Sequence, residues 1–139
     1  MSNVYWEHFE HKADIGVRGF GNTLAEAFEQ AAVAMTAVVT DISLVQATTT
    51  ISIACIDEDK DALLYDWLNA LIYEMATRKM LFCKFEVSID HERLEATVYG
   101  EAIDIERHQP CVEIKGATYT ELAVYKEEQH WVAQCVIDV

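Results

Sequence analysis

A chain of 139 residues with 52% hydrophobic residues, three Trp, six Tyr and five Phe has the composition of a folded globule and the length of one domain, 1–139. Its formal net charge of −14 disfavours direct binding to a nucleic-acid backbone and favours cations or a basic protein partner. Charge interrupts the apolar runs well short of the roughly 18 residues a membrane span needs, and Met1-Ser2-Asn3-Val4 shows no basic segment ahead of an apolar block, so a cytoplasmic chain is expected.

The elements follow from periodicity. Val4 to Glu10 reads as a short strand. His11-Lys12-Ala13-Asp14 interrupts it, and Ile15, Val17 and Gly19 then alternate as a second strand, with Gly19 and Gly21 marking a tight exit. Thr23-Leu24-Ala25-Glu26 matches a capping box and opens a helix that ends near Thr40. Leu24, Phe28, Ala31, Met35 and Val38 form its apolar face, and its alanines suggest close contact with a sheet. Thr48 to Ile56 alternates as a strand. A second helix runs from about Asp59 to Arg78, striped by Leu64, Trp67, Leu68, Leu71, Ile72 and Met75. Acids sit at its start and Arg78 and Lys79 at its end, as the helix dipole prefers. Leu81–Ile89, Leu94–Gly100, Thr118–Tyr125 and Trp131–Val139 complete the chain as strands. A long connection, 102–117, carries the only proline, Pro110. The order predicts an α+β fold, two helices packed on a mostly antiparallel sheet.

The four cysteines, Cys55, Cys83, Cys111 and Cys135, include no Cys-x-x-Cys pair, which argues against structural zinc. Cys55, Cys83 and Cys135 fall in alternating strands and read as small core hydrophobes. Asp57-x-Asp59-x-Asp61 resembles the opening of a calcium loop, but the sixth and twelfth positions are Ala62 and Leu68, so it reads as a solvated helix start. No phosphate loop, dinucleotide fingerprint or serine elbow is present.

The chemistry-bearing stretch is Glu7 to Gly21, with His8, His11 and Asp14 at three-residue spacing. Helical zinc sites place two histidines four apart, so a solvated or core-edge role for these is the commoner outcome. If the last strand pairs beside Asp14, then Asp14, Asp138 and Val139 bring three carboxylates together. Such a cluster needs a cation or a proton, and oxygen ligands suit a hard divalent ion; on physics alone a solvated terminus is the commoner case. Lys115, after the proline loop, could meet a phosphate or an acidic group, although a plain surface lysine is commoner.

E-H-F-E-H-K-A-D-I-G-V-R-G-F-G, T-L-A-E-A-F-E-Q-A-A, L-L-Y-D-W-L-N, V-E-I-K-G-A-T-Y and the ending V-I-D-V together resemble the archease family nearly end to end. The resemblance implies an archease-like fold with a strand-helix-strand-strand (SHS2) module and an insertion. It implies a non-catalytic activator of an RtcB-type RNA ligase in tRNA splicing and RNA repair, promoting guanylylation of the ligase histidine and multiple turnover. It further implies a divalent ion, calcium first and magnesium or manganese as alternatives, held by Asp14, Asp138 and Val139. Lys115 would act on the partner, with Glu113 and His11 nearby. Lys12 stands where the family pattern has Thr, and Gly116 where it has Ala. A small metal-dependent phosphoester hydrolase and a general protein-binding adaptor or chaperone-like module are the competing readings. A monomer is expected.

Overall fold

Thr23 opens the first helix, α1 (Leu24–Val39), with the expected reciprocal cap. Its hydroxyl accepts from the Glu26 N–H at 3.1 Å, and the Glu26 carboxylate accepts from the Thr23 and Asn22 N–H groups at 3.0 and 2.9 Å. The structure, a computed structural model, describes residues 3–139, so the reading of Met1 and Ser2 lies outside the described residues.

Two antiparallel sheets are present rather than one. The first contains β1 (Tyr5–His11), β2 (Asp14–Gly21), β8 (His130–Asp138) and β6 (Gly116–Ala117) in that order, with β7 (Ala123–Glu127) also paired to β8. The second has the order β3 (Thr49–Ile56), β5 (Arg93–Ala102), β4 (Met80–Asp90). The second long helix, α2 (Lys60–Arg78), contacts strands of both sheets, as does α1. The α+β class stands. The 102–117 connection, however, is not plain loop: it holds a short helix, α3 (Ile105–His108), and β6. The strand expected at Thr118–Tyr125 begins only at Ala123, because the Thr118 hydroxyl accepts from the Thr120 N–H at 3.1 Å and turns the chain.

The position of α1 explains why its buried surface is wider than a single stripe. Ala27, Ala32, Ala34, Thr36 and Val39 are buried as well as Phe28, Ala31, Met35 and Val38. A helix enclosed by two sheets has to be apolar nearly all round. Gly21 ends β2 at the exit toward α1, as expected, and both Gly19 and Gly21 are in addition strand residues pressed on α1. A Cβ on Gly19 would lie 2.3 Å from the Ala31 backbone nitrogen, and one on Gly21 would lie 2.5 Å from that of Ala27. Gly16, Gly19, Gly21 and Gly100 therefore serve close packing. None has a positive φ, whereas Lys12, His91 and Glu128 in hairpin turns each have φ of 55°. Trp67 links the helices by donating its indole N–H to the Phe28 carbonyl at 3.1 Å. Cys135 is buried and Cys55 and Cys83 half-buried, as their strand phase requires, while Cys111 is exposed.

A polar cluster fastens α3 to the second sheet. Glu101 is 8% exposed. It accepts two hydrogen bonds from Arg107, both 2.7 Å, one from the Gln46 N–H at 2.7 Å, and one from His108 Nε2 at 3.0 Å. His108 Nδ1 accepts from the Asp104 N–H at 2.9 Å, so the ring is neutral with its proton on Nε2. The Arg107 guanidinium, then the Gln46 amide and His108, hold the Glu101 carboxyl well below the usual carboxylate range. A depressed folded pKa stabilises above the unfolded value of 4.5, and that contribution is lost as pH falls further toward the folded pKa. Glu101→Gln is thus expected to destabilise the protein at neutral pH, with its deficit shrinking as pH falls through 4.5 and below; urea titrations of both proteins across that range measure it.

Candidate functional site

Strand register builds the site. In the β1–β2 hairpin His11 lies directly opposite Asp14. β2 and β8 pair from Gly21↔Trp131 to Ile15↔Ile137, and one further step sets Asp14 beside Asp138. On the other side of β8, Gly116 faces Asp138, and the Lys115 N–H donates to the Asp138 carbonyl at 2.8 Å. His11, Asp14, Asp138, Val139 and Lys115 therefore share one end of the five-stranded sheet. Opposed residues of an antiparallel pair project from the same face. That face is the one turned away from α1, since Val17 and Ile137 carry the opposite phase into the core.

His8 parts from this group. Its phase along β1 is opposite to that of His11, and its Nε2 lies 2.7 Å from the Ala34 carbonyl of α1. The three-residue spacing of His8, His11 and Asp14 thus does not converge, because the period of a strand is two. Glu113 is exposed and lines an apolar groove of about 570 Å³ with Ile72, Met75, Ile105 and Val112. It precedes Lys115 in chain but faces a different feature. Among the described residues no three His, Cys, Asp or Glu side chains gather as a metal cluster. The oxygen donors at this sheet end are those of Asp14, Asp138 and Val139.

Asn69 was not singled out from sequence. Its Oδ1 accepts from the Ala117 N–H at 3.0 Å, while its Nδ2 donates to the Tyr65 carbonyl at 3.1 Å. It ties α2 to β6 and so fixes the segment carrying Lys115. The available signal was an amide in an apolar stretch, Trp67-Leu68-Asn69-Ala70-Leu71. Thr118 secures the other end, its N–H and hydroxyl both donating to the Val136 carbonyl at 3.1 and 2.9 Å.

The acidic run before α2 has structural employment. Asp57 and Asp59 carboxylates accept from the Asp59 and Asp61 N–H groups at 3.1 and 3.2 Å, which is capping. Asp66 is pushed above the usual carboxylate range by burial and then by Asp57.

Comparison with known proteins matches residues 6–139 to the archease protein family (MTH1598/TM1083). The chain belongs to the archease family. Protein archease of Pyrococcus abyssi is 37% identical, the match covering 96% of this chain and 98% of that one. Protein archease of Methanosarcina acetivorans is also 37% identical over 96% of this chain and 95% of its own. Among solved structures, the solution structure of protein 1598 of Methanobacterium thermoautotrophicum superimposes with a TM-score of 0.86 at 37% identity, covering 96% and 98% of the two chains. The crystal structure of a Thermotoga maritima protein, described as an archease and possible chaperone, gives 0.58 at 18% identity over 96% of each and supports the fold alone. The archease fold is thereby established for this chain. No helix among its described residues is long and apolar enough to cross a membrane.

Gly116 has no geometric need to be glycine. A Cβ there would meet only Asn69 Oδ1, at 3.6 Å, an ordinary contact. Gly116→Ala is expected to fold normally and gain about 0.4–1 kcal/mol from the less flexible unfolded chain, as read from thermal or urea unfolding.

Proposed function

We propose that residues 1–139 form one cytoplasmic domain that activates an RtcB-type RNA ligase without itself being an enzyme. It promotes guanylylation of the ligase histidine and multiple turnover in tRNA splicing and RNA repair. The observation that carries this reading is the archease match from residue 6 to the last residue. Supporting it, Asp14 and Asp138 come side by side by register, with the Lys115 amide on the Asp138 carbonyl. A chain of net charge −14 is poorly suited to hold RNA and well suited to a basic ligase surface.

The donor chemistry fits a hard divalent ion. Two carboxylates and the oxygens of Val139 are oxygen ligands, which calcium, magnesium and manganese accept and which soft metals do not favour. When bound, such an ion neutralises phosphate charge at a phosphoryl-transfer site. Asp14 and Asp138 supply the negative field, Asn69 and Thr118 position the Lys115 segment, and Lys115 offers an ammonium to a phosphate or carboxylate of the partner. His11, opposite Asp14, flanks the contact, while Glu113 meets the partner from the neighbouring groove. Positioning and charge compensation would favour attack of the ligase histidine nitrogen on the α-phosphate of GTP, with pyrophosphate as the leaving group.

The test is a guanylylation and multiple-turnover ligation assay with a matching ligase, GTP and a divalent ion. The intact protein is expected to stimulate, and folded Asp14→Ala and Lys115→Ala variants to fall toward the rate of ligase alone. Stimulation retained by both variants would refute the role of this sheet end, and phosphoester turnover by the protein alone would favour the hydrolase reading.

Ion binding has its own measurement. Calcium at a hundred times its dissociation constant should stabilise the intact protein by about 2.7 kcal/mol, a Tm rise of several degrees. Asp14→Ala and Asp138→Ala are expected to abolish that rise.

A further inference from the structure

Each sheet edge of a folded protein leaves backbone N–H and C=O groups without a strand partner. This chain deals with most of its edges explicitly. On β4 the outward Val87 N–H donates to the Glu29 carboxylate at 2.7 Å, and the strand carries Lys84, Glu86 and Asp90 and a register shift between Phe82 and Lys84. On β7 the outward Val124 N–H donates to the Asp61 carboxylate at 2.7 Å. On β6 the Ala117 N–H is taken by Asn69. β1 carries Glu7 and Glu10. Charged side chains, side-chain acceptors and bulges are the usual defences against edge-to-edge pairing.

β3 has none of them. Its sequence is T-T-I-S-I-A-C-I, without charge or proline, in a chain of which 24% is charged. The Asp57 N–H donates to the Glu92 carbonyl at 2.9 Å, in register with the pairs from Thr49↔Gly100 to Ile56↔Arg93. The odd residues therefore bond to β5, and the backbones of Thr50, Ser52, Ala54 and Ile56 point outward. The same four side chains are exposed, and among the described residues their outward N–H and C=O groups have no partner.

We propose that β3 is a self-association edge, pairing antiparallel with β3 of a second copy to give a continuous six-stranded sheet. A register centred on Ile53 sets Thr50 opposite Ile56 of the second copy and Ser52 opposite Ala54. Every outward N–H and C=O of these residues then finds a partner. Charge selects the orientation. The acidic run that follows β3 begins at Asp57, and in this register it faces Thr49 and the uncharged Gln46–Thr48 segment of the other copy. Parallel pairing would place the two acidic runs together, which like-charge repulsion opposes. Two chains of net charge −14 still repel at long range, so the dimer strengthens as salt screens that repulsion.

Sedimentation velocity across a concentration series, at low salt and at about 0.5 M salt, tests this on the intact chain. The wild type is expected to shift toward dimer with concentration and with salt. Ser52→Lys adds a charge to the edge, and Ala54→Pro removes an outward N–H; both are expected to remain monomeric. Amide hydrogen exchange supplies a second reading. The Thr50, Ser52, Ala54 and Ile56 amides should be slow in concentrated wild type and fast on dilution, while the Ile51 and Ile53 amides stay slow. A wild type monomeric throughout, leaving the edge to an extended segment of another protein, overturns the proposal. So does a dimer that survives in both variants, or one that leaves those four amides unprotected.

Discussion

The fold depends on the approach of α1 to β2. Gly19 and Gly21 lie so close to the backbone of α1 that no side chain fits between them, and the facing helix residues are Ala27 and Ala31. Once helix and strand meet at that distance, α1 can be enclosed by the second sheet as well. Phe28 and Met35 then fill the space where glycine and alanine do not, and Trp67 of α2 seats on the Phe28 carbonyl. The interior is close-packed, so enlarging either glycine displaces backbone rather than filling a void.

The candidate site is a by-product of strand register. A hairpin at Lys12–Ala13 sets His11 against Asp14, and the β2–β8 ladder sets Asp14 beside Asp138. The β6–β8 pair then delivers Lys115. None of these residues needs a special local conformation to reach the site except Lys12, with its φ of 55°. Register slips of one residue would turn Asp14 and Asp138 to the helix side, so the buried alternation of Val17, Cys135 and Ile137 also fixes the carboxylates on the outer face.

Much of this was legible in the sequence. The capping box at Thr23, the stripes of both helices and the alternation of Ile51 and Ile53 translate directly into structure, because each is a local period. Two kinds of feature were not. The division into two sheets depends on which strands pair, and Leu94–Gly100 alternates in the same way whichever neighbours it takes. The short elements at 105–108 and 116–117 are held by side chains outside themselves, Glu101 and Asn69, and carry little periodicity of their own. At the site, the convergence of Asp14 with Asp138 could be posed from sequence only as a condition. The separation of His8 from His11 follows from strand phase, which three-residue spacing disguised.

The glycines carry a further consequence, for how this chain can vary. In many proteins they occupy turns; here the hairpin turns at Lys12, His91 and Glu128 adopt the left-handed conformation without them, and Gly16, Gly19, Gly21 and Gly100 are held for packing. Tolerance to substitution is thereby redistributed. The turns are open to drift, since asparagine or glycine there only relieves strain. Gly19 and Gly21, in an ordinary extended strand that would accept any residue conformationally, are closed to it by the helix behind them.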